Sequence, residues 1–579
     1  MINCFYQLFR QQLVQCMNGS WHVYSSVIII YLIFVISRFI ISLFIQNPLI
    51  PTDELAYKNM AYSFFTTGSF YNTQSLSYFV NIPNVLYSFL ISPSFFLKDN
   101  FYVGIKLINS VIINTAIFPS YFLMKEFTSH RRALILAILV LLLPTFNFIN
   151  YVSVDGLNLP LFLFCFFYTY KLFQKPQPLC GFFAGMFLAL LLFNKPTGIA
   201  FGVALLLSQS ILVFYFFWKQ EKFLAQQILK GLLLVLPFFL VSFALISLLL
   251  KGHISYNLGV YETIPTIDGE SKANLREILL MIFAQYSTFL IIYYVPFISS
   301  LLAFIKLLKE ENIGRRYDEL TFFVLGFSLF IIYTLLSAKY MIGIYNLEHF
   351  ERIHARYHFM TYPFFLFAFG IYAEKIKWNL TKRLLVLILF IILNLLNFYY
   401  FLAKHVIHGL TIFDNPDLSW HVPPVSMDNA LIILLAVGII FYLFINKYVS
   451  QIYYLIIFSL ILVIGNVGEI KNIVFYDTLN SKNVNDNRAF IQGHINATNA
   501  SVVLIDSWLG DRLWTAFWLP YNYKAVYDLP KGSLIRENMI PEGTQYIVLF
   551  DQYLLNFPAK YICGNSKCTI MAPIKVEIK

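Results

Sequence analysis

The sequence predicts a polytopic α-helical membrane protein with a small α/β domain at its C-terminal end. Three observations predict it. The 579 residues are 59% apolar and only 12% charged, against about 45–50% and about 25% in soluble domains. Apolar runs of the about 20 residues needed to cross a bilayer recur between residues 23 and 468. Beyond residue 469 charged and polar residues return and the apolar runs shorten.

The first apolar run, Val23 to Ile45, is longer than the about 7–15 residues of a signal-peptide core and lacks a small-residue cleavage site. It reads as a retained span with Arg38 inside it. In all, about thirteen spans are expected. They centre near residues 34, 113, 141, 164, 187, 208, 240, 292, 328, 366, 392, 438 and 460, and Lys106 lies in the second. One set of connections is short and basic, with Lys125, Arg131 and Arg132, then Lys171 and Lys175, Lys219 and Lys222, Arg315 and Arg316, Lys382 and Arg383, and Lys447. Such loops face the cytoplasm. The other set, 46–100, 251–277, 339–356 and 402–428, is longer and less basic for its length, and faces outside. An odd number of spans from a cytoplasmic N-terminus leaves the C-terminus outside, as in a bacterial inner-membrane protein. This pattern accounts for the net charge of +11. No basic-aromatic groove or motif accompanies it, which argues against nucleic acid as a partner. The 18% aromatic share suits wide membrane interfaces, where Tyr and Trp anchor.

Within outer loop 46–100, residues 54–66 place Leu55, Met60, Ala61, Phe64 and Phe65 roughly on one helical face, the pattern of an interfacial helix. Residues 82–97 contain Pro83 and Pro93 and are too short to span comfortably, so they read as interfacial or re-entrant. The transmembrane part is expected over 1–468 and the extracytoplasmic α/β domain over 469–579. In the latter, Ser501–Ile505, Tyr523–Tyr527 and Gln545–Phe550 read as strands, and Arg488–Ile495 and Asp511–Leu519 as helices. Cys4, Cys16, Cys165 and Cys180 are scattered in or near membrane segments. Cys563 and Cys568 flank a short turn between strand formers. They form either a hairpin disulfide in an oxidising compartment or two free thiols.

Four groups of residues could carry chemistry. Asp53 and Glu54 directly follow the first span; such a pair serves acid–base work or caps the helix that follows. Asp155, at the outer mouth of the fourth span, is a membrane-level acid of the kind usually kept for function, or an N-cap. Lys195, in the tight connection Asn194-Lys195-Pro196-Thr197-Gly198, either snorkels to head groups or sits fixed at the depth of a lipid phosphate. The densest polar cluster, Glu348–His358, places Arg352 and Arg356 four apart, where two guanidiniums can hold a phosphate. His354 and His358 share that spacing, which permits a divalent metal ion; a charged interfacial rim is the alternative.

Taken together, these positions resemble the GT-C membrane glycosyltransferases, in particular the group containing protein O-mannosyltransferases and the lipid A aminoarabinose transferase. The matching positions are Arg38, then Asp53-Glu54 with Tyr57, Ala61 and Gly68. The run Asn81-Ile82-Pro83-Asn84-Val85-Leu86-Tyr87 follows, then Asp155 before Leu157-Asn158-Leu159-Pro160-Leu161. Gly181 to Gly185 leads to Lys195-Pro196-Thr197-Gly198, and Arg356-Tyr357 precedes a span holding Pro363. The likeness covers roughly residues 23–375. One departure stands: many relatives carry Glu in a Ser-Glu-Asn run where this chain has Ser153-Val154-Asp155-Gly156.

The resemblance implies a polyprenyl-phosphate sugar donor and a glycan, lipid or protein acceptor at the outer face. Asp53 would be the general base, with Glu54 or Asp155 in support. Lys195, Arg352, Arg356 and Tyr357 would bind the lipid phosphate. A single displacement would invert the anomeric centre. Two other classes remain open from the residues: a secondary transporter or lipid flippase, which often carries inverted repeats and broken helices, and a non-enzymatic assembly protein.

Overall fold

In lipid a segment must satisfy its own backbone polar groups, so long apolar runs become helices. The computed structural model describes residues 21–48, 51–70, 85–143, 147, 149–254, 275–309, 317–348, 357–372, 388, 392, 451–495, 500–506, 517–518, 522–529, 531–550, 552–564 and 569–573. Every expected span centre that falls on these residues lies in a helix. The helices that frame the site are α1 (Trp21–Ser42), α2 (Pro51–Thr67), α3 (Val85–Ile91), α4 (Phe101–Asn114), α5 (Ile117–Lys125), α6 (His130–Leu141), α7 (Val154–Gln174), α8 (Pro178–Asn194), α9 (Ile199–Trp218) and α10 (Lys222–Lys251). They are followed by α11 (Leu275–Lys309), α12 (Tyr317–Glu348), α13 (Tyr362–Tyr372) and α14 (Gln451–His494).

Among the described residues, six helical stretches are long and apolar enough to cross a membrane, against about thirteen spans expected along the whole chain. Part of the difference lies in shorter apolar helices, Pro178–Asn194 and Phe359–Tyr372. Part lies outside the described residues, where the span expected near 438 falls. Of the segment expected as interfacial or re-entrant, residues 85–97 are described. It continues from α3 through a 3-10 turn (Ser92–Asn100) into α4. Lys98 adopts φ 50° there, outside helical geometry. A Cβ at Gly104 would lie 2.9 Å from Ser94 Cβ, so the 3-10 turn packs directly on α4.

The boundary expected at 468/469 falls inside α14, which runs unbroken for 44 residues. At 1.5 Å per residue it is about 66 Å long, twice the about 30 Å of a hydrocarbon core. Composition marks where such a helix leaves an apolar environment, but not where it ends. Beyond it, β1 (Ser501–Asp506), β2 (Asn522–Asp528) and β4 (Tyr546–Leu549) match the three expected strands, with β3 (Leu534–Ile535) between them. With β5 (Leu554–Leu555), β6 (Ala559–Gly564) and β7 (Thr569–Pro573) they complete the α/β part. The main sheet has the order β2-β1-β4-β7-β6; β1 is parallel to both its neighbours and β7 is antiparallel to both of its own. Val503, Ile505, Ile547 and Leu549 bury one face of this sheet. Of the helix expected over 511–519, residues 517 and 518 are helical and the rest lies outside the described residues. The expected hairpin is present as β6–β7, with Cys563 opposite Ile570. Among the described residues Cys563 has no disulfide partner; Cys568, its expected bridge partner, lies outside them.

Packing of α8 on α10 depends on two small residues one helical turn apart. A Cβ on Gly185 would meet Phe239 N at 2.5 Å, and one on Gly181 would meet Leu234 Cβ at 2.9 Å. Close backbone approach of this kind drives helix association in lipid. Gly185→Ala is therefore expected to lower the melting temperature of the detergent-solubilised protein clearly. Gly202→Ala, where a Cβ meets nothing within 4 Å, should not lower it. Equal melting of the two variants contradicts the close approach.

Candidate functional site

The site is built around one stretch of backbone, residues 149–155, which leads into the first turn of α7. Ser153 caps α7, its hydroxyl accepting from Asp155 N at 3.2 Å. The preceding groups are claimed from other elements. Asn109 Nδ2 on α4 donates to the carbonyls of Ile149 (3.2 Å) and Tyr151 (2.9 Å). Its own Oδ1 accepts from the Tyr87 hydroxyl at 3.0 Å. Val152 N donates to Glu54 Oε2 on α2 at 3.0 Å. Asn194 Nδ2, at the end of α8, donates to the Val154 carbonyl at 3.0 Å and to Asn158 Oδ1 at 3.4 Å. Asn158 in turn reaches Met360 Sδ at 3.3 Å. Three helices, α2, α4 and α8, therefore converge on this stretch.

Three of the sequence-predicted residues meet here. Asp155 stands in the first turn of α7 and Lys195 at the C-terminal cap of α8. They form a buried ion pair, Lys195 Nζ to Asp155 Oδ1, with both side chains 3% exposed. Ser153 Oγ donates to the other carboxylate oxygen, Oδ2, at 3.3 Å. The Lys195 ammonium also lies 4.3 Å from the centre of the Tyr357 ring, a desolvated cation–π contact. Lys195 is thus not a snorkelling lysine, and Asp155 is not the N-cap of α7, a place Ser153 takes, but the buried partner of Lys195.

Glu54 is fully buried, and its carboxylate ties α2 to the 149–155 stretch. Asp53 lies in the first turn of α2; its side chain is outside the described set. Arg352, Arg356 and His354 fall outside the described residues. His358 is buried and its Nε2 lies 3.1 Å from the Tyr362 hydroxyl. Among the described residues no group of three or more His, Cys, Asp or Glu could hold a metal. The two cations inside spans serve helix ends. Arg38 donates to Asn114 Oδ1 at 2.7 Å and to the carbonyl of Leu141, the last residue of α6. Lys106 donates to the Ser42 carbonyl at the end of α1 at 2.8 Å, and to that of Ile45. Cations belong at such carbonyls.

Sequence reading passed over Asn109, the hydrogen-bonded centre of the frame, and named its partner Tyr87 only as part of the run 81–87. A polar carboxamide within an apolar span is the signal that would have found Asn109. It also passed over Lys58 on α2, which is 4% exposed with its ammonium 5.9 Å from the Tyr62 ring and 5.7 Å from the Phe101 ring.

No protein-family profile matches the chain, and no curated protein sequence matches it. Solved structures do match. ArnT from Cupriavidus metallidurans in the apo state superposes with a TM-score of 0.52 at 11% identity, covering 95% of this chain and 98% of that one. ArnT from the same organism bound to undecaprenyl phosphate gives a TM-score of 0.56 at 11% identity, covering 94% and 98%. The likeness is one of fold, and it extends over nearly the whole of both chains. The chain therefore has the fold of these two structures.

Two outcomes follow from the buried charges. Removing one partner of a buried ion pair costs about 3–5 kcal/mol, whereas replacing both with apolar groups is often neutral. Lys195→Met should destabilise strongly, and the double Asp155→Leu/Lys195→Met variant should recover most of the loss in thermal unfolding. Losses that simply add would contradict the pair. Burial lowers the Lys58 pKa to about 7, whereas an unfolded lysine titrates near about 10.4. Between these values the unfolded chain binds more protons, so Lys58 makes stability rise with pH. Below about pH 7 both states are protonated and its full penalty applies. Lys58→Met should melt higher than wild type at pH 7, with a gap that narrows toward pH 9; a constant or widening gap contradicts this.

Proposed function

We propose that the chain is a membrane glycosyltransferase that moves a sugar from a polyprenyl-phosphate donor to an acceptor on the outer side of the membrane. One observation carries the reading. A fold shared end to end with ArnT, the lipid A aminoarabinose transferase, holds a buried carboxylate, ammonium and tyrosine at one point. One of those ArnT structures is bound to undecaprenyl phosphate. The acid-bearing helix α2 is fastened through Glu54 to Val152, three residues before Asp155.

The chemistry suits these groups. An acceptor hydroxyl attacks the anomeric carbon while the bond to the carrier phosphate oxygen breaks, and the phosphate leaves with the bonding electrons. Asp53 takes the hydroxyl proton as general base. The leaving phosphate needs fixed positive charge more than it needs an acid. Lys195 supplies part of that charge, with Arg352 and Arg356 completing it and Tyr357 bordering the ammonium. Asp155 holds Lys195 in place when no phosphate is present, and Glu54 holds α2. One in-line displacement inverts the anomeric centre. The acceptor is a glycan, a lipid or a protein. Helices long enough to span fit a donor that never leaves the bilayer.

The test supplies the purified protein with a panel of polyprenyl-phosphate hexoses and pentoses and measures carrier release. At least one donor should be cleaved, and Asp53→Asn should slow its release by about 10²- to 10⁴-fold. Equal release by wild type and variant removes Asp53 from the mechanism. No release from any donor removes the donor class.

A further inference from the structure

The connection between α1 and α2 is anchored by the C-terminal part of the chain. Asp477 on α14 accepts two backbone N–H groups, from Gln46 at 2.9 Å and from Asn47 at 2.8 Å. Trp518 Nε1 donates to Asn47 Oδ1 at 2.9 Å, and the Tyr102 hydroxyl donates to the Asn47 carbonyl at 3.2 Å. Asn47 and Asp477 are both buried. The Trp518 ring packs on Phe101 and Tyr102 at 5.7 and 5.4 Å, and Arg488 lies 5.3 Å above it. Asn47 is therefore held through its N–H, its carbonyl and its side chain at once.

This anchor stands just before α2. Among the described side chains, the next to hold this segment is Glu54, bonded to Val152 N. Asp53 lies between the two, in the first turn of α2. A reactive carboxylate on a segment fixed at one end alone would sample many positions, and a displacement near 1 Å can cost about 100-fold in rate.

We propose that Asp477 is a positioning residue for Asp53, and that the C-terminal domain, through Asp477 and Trp518, sets the geometry of the catalytic segment. The inference rests on the reading of Asp53 as the base. It gives the docked α/β domain a part in turnover without a residue of its own in the chemistry. Two N–H donors need two acceptors. In Asp477→Asn one carboxylate oxygen becomes an NH₂ group that opposes an N–H. Trp518→Phe is milder: it keeps an aromatic ring and removes only the bond to Asn47 Oδ1.

Both variants would be compared with wild type by steady-state carrier release and by hydrogen exchange over residues 43–54. The expected result is a kcat lowered about 10- to 100-fold in Asp477→Asn and less in Trp518→Phe, with the donor KM changed less than about threefold. The amides of Gln46 and Asn47 should exchange faster in Asp477→Asn. Wild-type kcat in both variants overturns the proposal, as does a kcat that falls only in proportion to the folded fraction. If Asp477→Asn does not fold, the proposal stands or falls on kcat against KM in Trp518→Phe. A wild type that cleaves no donor at all refutes the transferase reading instead, and leaves exchange at Gln46 and Asn47 as the separate measure of the anchor.

Discussion

A buried stretch of irregular backbone governs this structure. Residues 149–155 run into the first turn of α7 where most side chains are apolar, and an unpaired backbone group in such surroundings costs more than one in water. The chain meets the need with side chains from elsewhere: Asn109 from α4, Glu54 from α2 and Asn194 from α8. Each side chain that satisfies the stretch also brings its own helix to it. The convergence of elements is thus a consequence of hydrogen-bond satisfaction, and the Asp155–Lys195 pair sits at its downstream edge.

The same economy explains the charges inside spans. Arg38 and Lys106 are placed against carbonyls at the ends of α6 and α1, where helix dipoles favour positive charge. Lys195 differs, since it faces a carboxylate and an aromatic ring. A carrier phosphate arriving there would meet an ammonium already desolvated and oriented, so little reorganisation is needed when charge develops on the leaving group.

Much of the helical framework was legible from hydrophobic runs, because their length alone marks a span. The helix carrying Asp53-Glu54 and strands β1, β2 and β4 were legible from local pattern. Of the site, Asp155, Lys195 and Tyr357 could be nominated, but not their mutual contact. That contact joins residues far apart in the chain and leaves no local trace. The partners of Asn109 were hidden for the same reason: the carbonyls of Ile149 and Tyr151 are backbone groups, which carry no residue identity. The continuity of α14 past residue 468 was invisible because a helix leaving an apolar layer changes composition without changing conformation. The anchoring of Gln46 and Asn47 by Asp477 is likewise a pairing that periodicity cannot suggest.

The central claim is that the 149–155 platform, with Lys195 and the start of α2, receives a polyprenyl phosphate. Its most direct test is an experimental structure of the protein in a lipid nanodisc with an undecaprenyl phosphate bound. The phosphate is predicted to lie within hydrogen-bonding reach of Lys195 Nζ, between Tyr357 and the first turn of α2. A carrier phosphate bound elsewhere, with the Asp155–Lys195 pair sealed away from it, would contradict the claim.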